Sequence, residues 1–191
     1  MNEQVLEIPN ETIRRLYYDY IKKVYDDTGI FSLNLSMYSR LMKEMAAKGE
    51  WEPLLDYITG SMQESMGLRD LMTGEKSIQA FLNVYLGLSD LYIIHSEKEM
   101  NKGFADIVME PFLARYPGVI YSYVIEIKYI KTKKGQNPDP AAIEKLKTEA
   151  EEQLQKYSED EKFKKNLGKT TLIKLVMIFS GHQLAAMKKV D

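Results

Sequence analysis

A carboxylate and an ammonium stand two residues apart inside an apolar run, Tyr123-Val124-Ile125-Glu126-Ile127-Lys128-Tyr129-Ile130. Successive strand side chains point to opposite faces, so Glu126 and Lys128 share one face with Val124 and Ile130, while Ile125, Ile127 and Tyr129 take the other. Two ions buried in such a strand cost several kcal/mol of desolvation unless they are paired or bound to a metal. A half-exposed strand with a solvated Glu and Lys explains the same pattern more plainly. Asp106 likewise interrupts an apolar strand, Phe104-Ala105-Asp106-Ile107-Val108, and a hairpin between the two strands brings it beside Glu126. Neighbouring carboxylates repel, so the pair makes most sense around a divalent cation held by oxygen. The plainer reading of Asp106 is that it ends the turn after Gly103.

Further candidates lie on helices. Ile143, Leu146, Ala150 and Tyr157 form an apolar stripe whose spacing predicts an apolar residue at 153, where Gln153 stands. A buried glutamine needs hydrogen-bond partners, which a neighbouring polar site supplies; a glutamine at the stripe's edge needs none. Glu75 opens another helix on the face of Ile78, Leu82 and Tyr85, where the helix dipole alone already explains an acid in the first turn. His95 and His182 have no metal or triad motif around them and read as core or surface residues. Lys131, Lys133, Lys134, Lys162, Lys164 and Lys165 read as solvated lysines that could also meet phosphates. Tyr17, Tyr18 and Tyr20 read as core and helix-face residues rather than a base-stacking platform. Neither a Walker loop nor a dinucleotide fingerprint occurs.

The elements that must position these groups follow from periodicity. From about Ile8 to Leu71 apolar residues recur at helical steps, with Asn10 after Pro9 as a first cap, further helices around Met37–Ala47 and Trp51–Met66, and Gly29, Gly49 and Gly60 as punctuation. A helix over Glu75–Leu88 follows. The period then changes to that of strands at Leu91–Met100, Phe104–Glu110 and Tyr121–Ile130, an expected meander broken by Asn101-Lys102-Gly103 and Tyr116-Pro117-Gly118. After a polar loop with Gly135, Asp139-Pro140 is a good cap and first residue for a helix running to about Tyr157. Charged residues Ser158–Lys169 lead into Thr170–Ser180, whose apolar run reads as a buried strand.

Bulk composition narrows the chemistry. The 191 residues, 45% hydrophobic, suit one compact unit or a main domain with a small extension. Without cysteine there is no disulfide, thiolate zinc site or cysteine nucleophile, and two histidines make a histidine-rich metal site a poor expectation. The net charge of -2 supplies no whole-molecule attraction for a polyanion. No run approaches the ~20 apolar residues of a membrane span. The start, Met1-Asn2-Glu3-Gln4, does not resemble a signal peptide, so a cytoplasmic protein is expected.

Asp106 with Glu126-Ile127-Lys128, in the order helix, three strands, helix, strand, resembles the PD-(D/E)XK nuclease superfamily. Glu75 through Leu82, Lys102-Gly103-Phe104-Ala105-Asp106-Ile107, and Gln153 with Tyr157 are similar, over roughly Gly74–Gly181, to the nuclease-like domain at the C-terminus of bacterial proteins that begin with an AAA-ATPase-like module. Ala105 replaces the proline of the family name, and Phe104 stands where these relatives often have arginine. The resemblance implies an α/β, restriction-endonuclease-like core, a central mixed sheet flanked by helices, over residues 73–191, preceded by a helical subdomain over 1–72. It implies Asp106 and Glu126 as ligands of Mg²⁺ or Mn²⁺, Glu75 as a further carboxylate, Lys128 as the residue assisting the attacking water, and Gln153 and Tyr157 as support from their helix. The implied substrate is nucleic acid, DNA in the first place, and the implied partner an AAA-ATPase-like domain in cis or trans. The other expectation is an inactive module of the same fold that binds nucleic acid or a protein.

Overall fold

Strand and helix periods part along the chain where residue spacing predicts. A computed structural model describes residues 11–27, 33–65, 73–100, 103–132 and 137–191. The expectations for Pro9, Asn10, Gly29, the Asn101-Lys102 turn, Lys133, Lys134 and Gly135, and for the side chains of Tyr18 and Lys162, lie outside the described residues. Helices α1 (Glu11–Asp27), α2 (Leu35–Lys48), α3 (Glu52–Glu64) and α4 (Glu75–Leu86) precede strands β1 (Tyr92–Met100), β2 (Gly103–Pro111) and β3 (Tyr121–Ile130). Then come α5 (Pro140–Ser158), α6 (Glu161–Leu167), β4 (Thr171–Ser180) and β5 (Gln183–Val190).

The strands form one mixed sheet in the order β1-β2-β3-β4-β5. β1, β2 and β3 are antiparallel neighbours, as the expected meander requires, and β4 returns parallel to β3 after α5 and α6. A parallel return needs a crossover of a dozen residues or more, which those two helices provide. Period two then sorts the core into two layers. Ile107, Met109, Tyr123, Ile125, Ile127, Leu175, Met177 and Phe179 face α2, α3 and α4. Val108, Val124, Val176 and Ile178 face Ala150, Leu154 and Tyr157 of α5 with Phe163 and Leu167 of α6. This three-layer arrangement is the restriction-endonuclease-like architecture, with helices on both faces of a mixed sheet.

Local chemistry explains the helix starts. Asn34 Oδ1 accepts from the Ser36 and Met37 amides at 3.0 and 3.1 Å, and Asp139 Oδ1 accepts from the Ala141 amide at 3.1 Å, with Pro140 opening α5. The N-terminal helices lean on the sheet through polar as well as apolar contacts: Tyr123 Oη donates to the Met45 carbonyl at 2.7 Å inside the core.

Four features depart from the periodicity reading. Gly60 lies inside α3 rather than at a break, because its neighbours Ile58, Thr59 and Met62 are buried and hold the helix together across it. Tyr17 and Tyr20 are exposed, at 54% and 66%, because α1 rests against α4 and, among its described side chains, lays Ile21 on the core. The charged stretch after α5 contains α6, started by Asp160, whose Oδ1 accepts from the Phe163 amide at 2.9 Å, and anchored by Phe163 and Leu167. A fifth strand, β5, closes the sheet beyond β4.

Two glycines give opposite expectations. Gly49 ends α2 at φ 74°, and a β-carbon there would come within 3.0 Å of the Tyr121 ring. Gly60 has nothing within 4 Å of such an atom. In urea denaturation Gly49→Ala should cost at least about 1–2 kcal/mol, the left-handed penalty alone, whereas Gly60→Ala should add about 0.5–1 kcal/mol by favouring helix.

Candidate active site

β2 and β3 pair only at Ile107↔Ile125, Val108↔Val124 and Met109↔Tyr123. Beyond Ile107 the strands part, and the acidic residues stand at the fork. Continuing the register puts Asp106 opposite Glu126, as the hairpin reading requires. Asp106 Oδ2 accepts the Ile127 amide at 2.8 Å, so a carboxylate takes the place of a strand carbonyl. Asp106 therefore acts across the fork rather than capping the turn after Gly103. Its other oxygen has no such partner among the described residues.

Glu126 is 2% exposed, which rules out the solvated polar face. Its Oε1 accepts from Lys128 Nζ at 2.7 Å, while Oε2 is buried with no hydrogen-bond partner among the described residues. Leaving a charged oxygen unsatisfied is costly. Burial first, then the Asp106 charge, raises the Glu126 pKa to about 7, against the lowering effect of Lys128. Burial also raises Asp106, opposed chiefly by its bond from the Ile127 amide.

α5 covers this face. Its buried stripe runs through Ala150, Leu154 and Tyr157, so Leu154 fills the core position and Gln153 sits beside it, with Oε1 buried and without a partner among the described residues. Tyr157 lies one turn further on the same side of the helix. Its hydroxyl donates to the Phe104 carbonyl at 2.8 Å, and burial, then Glu126 and Asp106, pushes its pKa up to about 12. Gly103, at φ 149°, makes room for that ring: a β-carbon would sit 3.3 Å from it. Phe104 is 60% exposed two residues from Asp106.

Glu75 is half-buried at the start of α4 and feels Asp106, Lys128 and Glu126 electrostatically; burial and then Asp106 raise its pKa. Among the described residues, however, no three carboxylate or imidazole side chains gather into one cluster able to hold a metal, so Glu75 does not complete a three-carboxylate set with Asp106 and Glu126. Lys131 is exposed past the end of β3, and Lys164 pairs with Glu161 at 2.8 Å on the surface. His95 instead pairs with Glu110, 3.1 Å away, whose pKa is lowered to about 2 by His95 and Lys98 against the effect of burial. Three residues that periodicity overlooks also approach the acids. Gln79 Nε2 donates to the Asp106 carbonyl at 2.7 Å, Lys76 Nζ donates to Gln79 Oε1 at 3.2 Å, and Glu97 is ion-paired to Lys76. Gln79 carries the same signal as Gln153, a glutamine set into an apolar helical stripe.

An oxygen-only donor set with an unpartnered buried carboxylate oxygen fits a hard divalent cation, which would supply the missing partner and relieve the repulsion between the acids.

Fold and fork together define an α/β nuclease core with an acidic centre. The family model described as the PD-(D/E)XK nuclease superfamily matches residues 73–189, well over half of the chain, and the protein belongs to that superfamily. Nucleases of this superfamily generally use divalent metal ions. Comparison with curated proteins gives no match. Among the described residues no helix is long and apolar enough to cross a membrane.

The raised Glu126 pKa has a testable sign. Between its ordinary value and about 7 the folded protein binds the extra proton, so ionisation of Glu126 removes stability as pH rises through that window. Without metal, the difference in melting temperature between Glu126→Gln and the unsubstituted protein should shift in the variant's favour from pH 5 to pH 8. A difference independent of pH would show that Glu126 ionises normally.

Proposed function

We propose that the protein is a metal-dependent nuclease that hydrolyses phosphodiester bonds, of DNA in the first place. The observation that carries this is the buried Glu126 Oε2 without a partner beside Asp106 in a chain of this superfamily. Asp106 and Glu126 would hold Mg²⁺ or Mn²⁺, with Glu75 adding negative charge from α4. When bound, such an ion supplies Lewis acidity toward the phosphate and a source of hydroxide near neutral pH.

The remaining work falls to the chain's own groups. Lys128, placed by period two on the face of Glu126, orients the attacking water and offsets charge that develops on the phosphate oxygens. Gln153, whose buried side-chain oxygen has no partner among the described residues, would support the site from α5 by ordering water. Tyr157, kept protonated by burial first and then by the acids around it, fixes the β2 main chain at Phe104. We further propose that residues 1–72 form a helical subdomain docked on the nuclease unit of 73–191, that an AAA-ATPase-like domain in cis or trans is the partner, and that the protein works in the cytoplasm.

A second reading, a module that keeps the fold and binds nucleic acid or protein without cleaving, is favoured by one observation. Lys128 already neutralises Glu126 at 2.7 Å, and no three-ligand cluster is formed among the described residues.

DNA incubated with the protein and Mg²⁺ or Mn²⁺ should be cut, and chelation should stop it. Glu126→Ala and Asp106→Ala should abolish cleavage, and Lys128→Ala should slow it by about 10²–10³, the usual loss for one transition-state donor. Because a proton competes for Glu126, cation affinity should fall as pH drops through about 7. Cleavage undiminished in Glu126→Ala would refute the site. Absence of cleavage at any metal concentration, with retained DNA or protein affinity, would favour the binding module.

A further inference from the structure

Asp106 is the one residue of β2 that belongs to neither neighbouring ladder. The β1–β2 register passes from Ser96↔Ile107 to Lys98↔Ala105 and omits the pair between them, Glu97 and Asp106. The β2–β3 register stops at Ile107. Glu97 is also the single described non-glycine residue with positive φ, at 51°. An L residue reaches that region only at a cost, and such a kink takes a residue out of its ladder.

The freed main chain of Asp106 is taken up by α4. Its carbonyl accepts from Gln79 Nε2 at 2.7 Å, and Gln79 is 3% exposed. The amide oxygen of Gln79 accepts from Lys76 Nζ at 3.2 Å, and Lys76 holds Glu97 by an ion pair. Lys76 and Gln79, three residues apart, lie on one side of the helix. Both halves of the broken pair are thus tied to the same helical turn. If Gln79 were lost, the Asp106 carbonyl would have either to find β1 again or to stay unpaired in the core, and both outcomes turn the residue away from β3.

We infer that Gln79, braced by Lys76 and the kinked Glu97, is a positioning residue for Asp106: it stands in for the missing strand partner and sets the carboxylate against the Ile127 amide, beside Glu126. The consequence for metal chemistry rests on the function proposed above; the geometry itself does not.

Hydrogen exchange of single backbone amides in the full chain, without metal, reads that geometry directly, because the Ile127 amide donates to Asp106 Oδ2. In Gln79→Met, of similar size but without the amide, Ile127 should exchange up to about tenfold faster, the factor expected for weakening one hydrogen bond, while Ile125 keeps its protection. Lys76→Met and Glu97→Gly act from the exposed ends of the brace and carry the test if Gln79→Met does not fold. Glu97→Gly should match or exceed the parent melting temperature, since glycine accepts the kink, yet still quicken exchange at Ile127. Unchanged protection of Ile127 in folded variants, or equal loss at Ile125 and Ile127, would overturn the inference. Mn²⁺ titration of the same proteins should show affinity weakened about tenfold. If the parent chain takes up no Mn²⁺, the nuclease proposal fails, and the exchange result still decides the role of Gln79.

Discussion

The fork between β2 and β3 is where the fold accepts its largest electrostatic cost. Two carboxylates are buried there, one oxygen of Glu126 has no partner among the described residues, and burial lifts both acids above their ordinary range, with the Asp106 charge adding to the rise at Glu126. Much of the surrounding structure offsets that cost. The Ile127 amide and Lys128 supply hydrogen bonds to the acids, and Gln79 supports the main chain of Asp106. Burying a charge is tolerable when it is paired and hydrogen-bonded, and here the pairing is left incomplete on one side.

The sheet makes that incompleteness possible. β3 is paired with β4 along its whole length, so its backbone is rigid while β2 departs from it. Rigid support on one strand and freedom on the other let Glu126 and Lys128 project from a fixed strand toward a residue held by side chains. Sites built on regular elements in this way are positioned more tightly than sites on loops. α5 then closes the face, with Tyr157 packed over Gly103 and bonded to the Phe104 carbonyl.

Much of this was legible in residue spacing. The period-two run of β3 assigned Glu126 and Lys128 to one face, the hairpin placed Asp106 across from Glu126, and Asp139-Pro140 marked the start of α5. What spacing missed has physical reasons. A left-handed residue is usually announced by glycine or asparagine, and Glu97 announces nothing. The brace on Asp106 joins residues 76, 79, 97 and 106, a tertiary pairing that no local pattern encodes. β5 has lysines and alanines where a strand signal needs β-branched or aromatic residues, which suits an edge that must not recruit another strand. The stripe on α1 shows the limit of periodicity itself: Tyr17 and Tyr20 lie on the helix as spacing predicts, but spacing does not say whether a face is covered.

The most direct test of the central claim is to locate Mn²⁺ by its anomalous scattering in crystals grown near pH 8. One ion should lie within about 2.0–2.6 Å of a carboxylate oxygen from both Asp106 and Glu126, the range of oxygen coordination to hard divalent cations. A fork with no ion at saturating Mn²⁺, with Lys128 still bonded to Glu126, would contradict it.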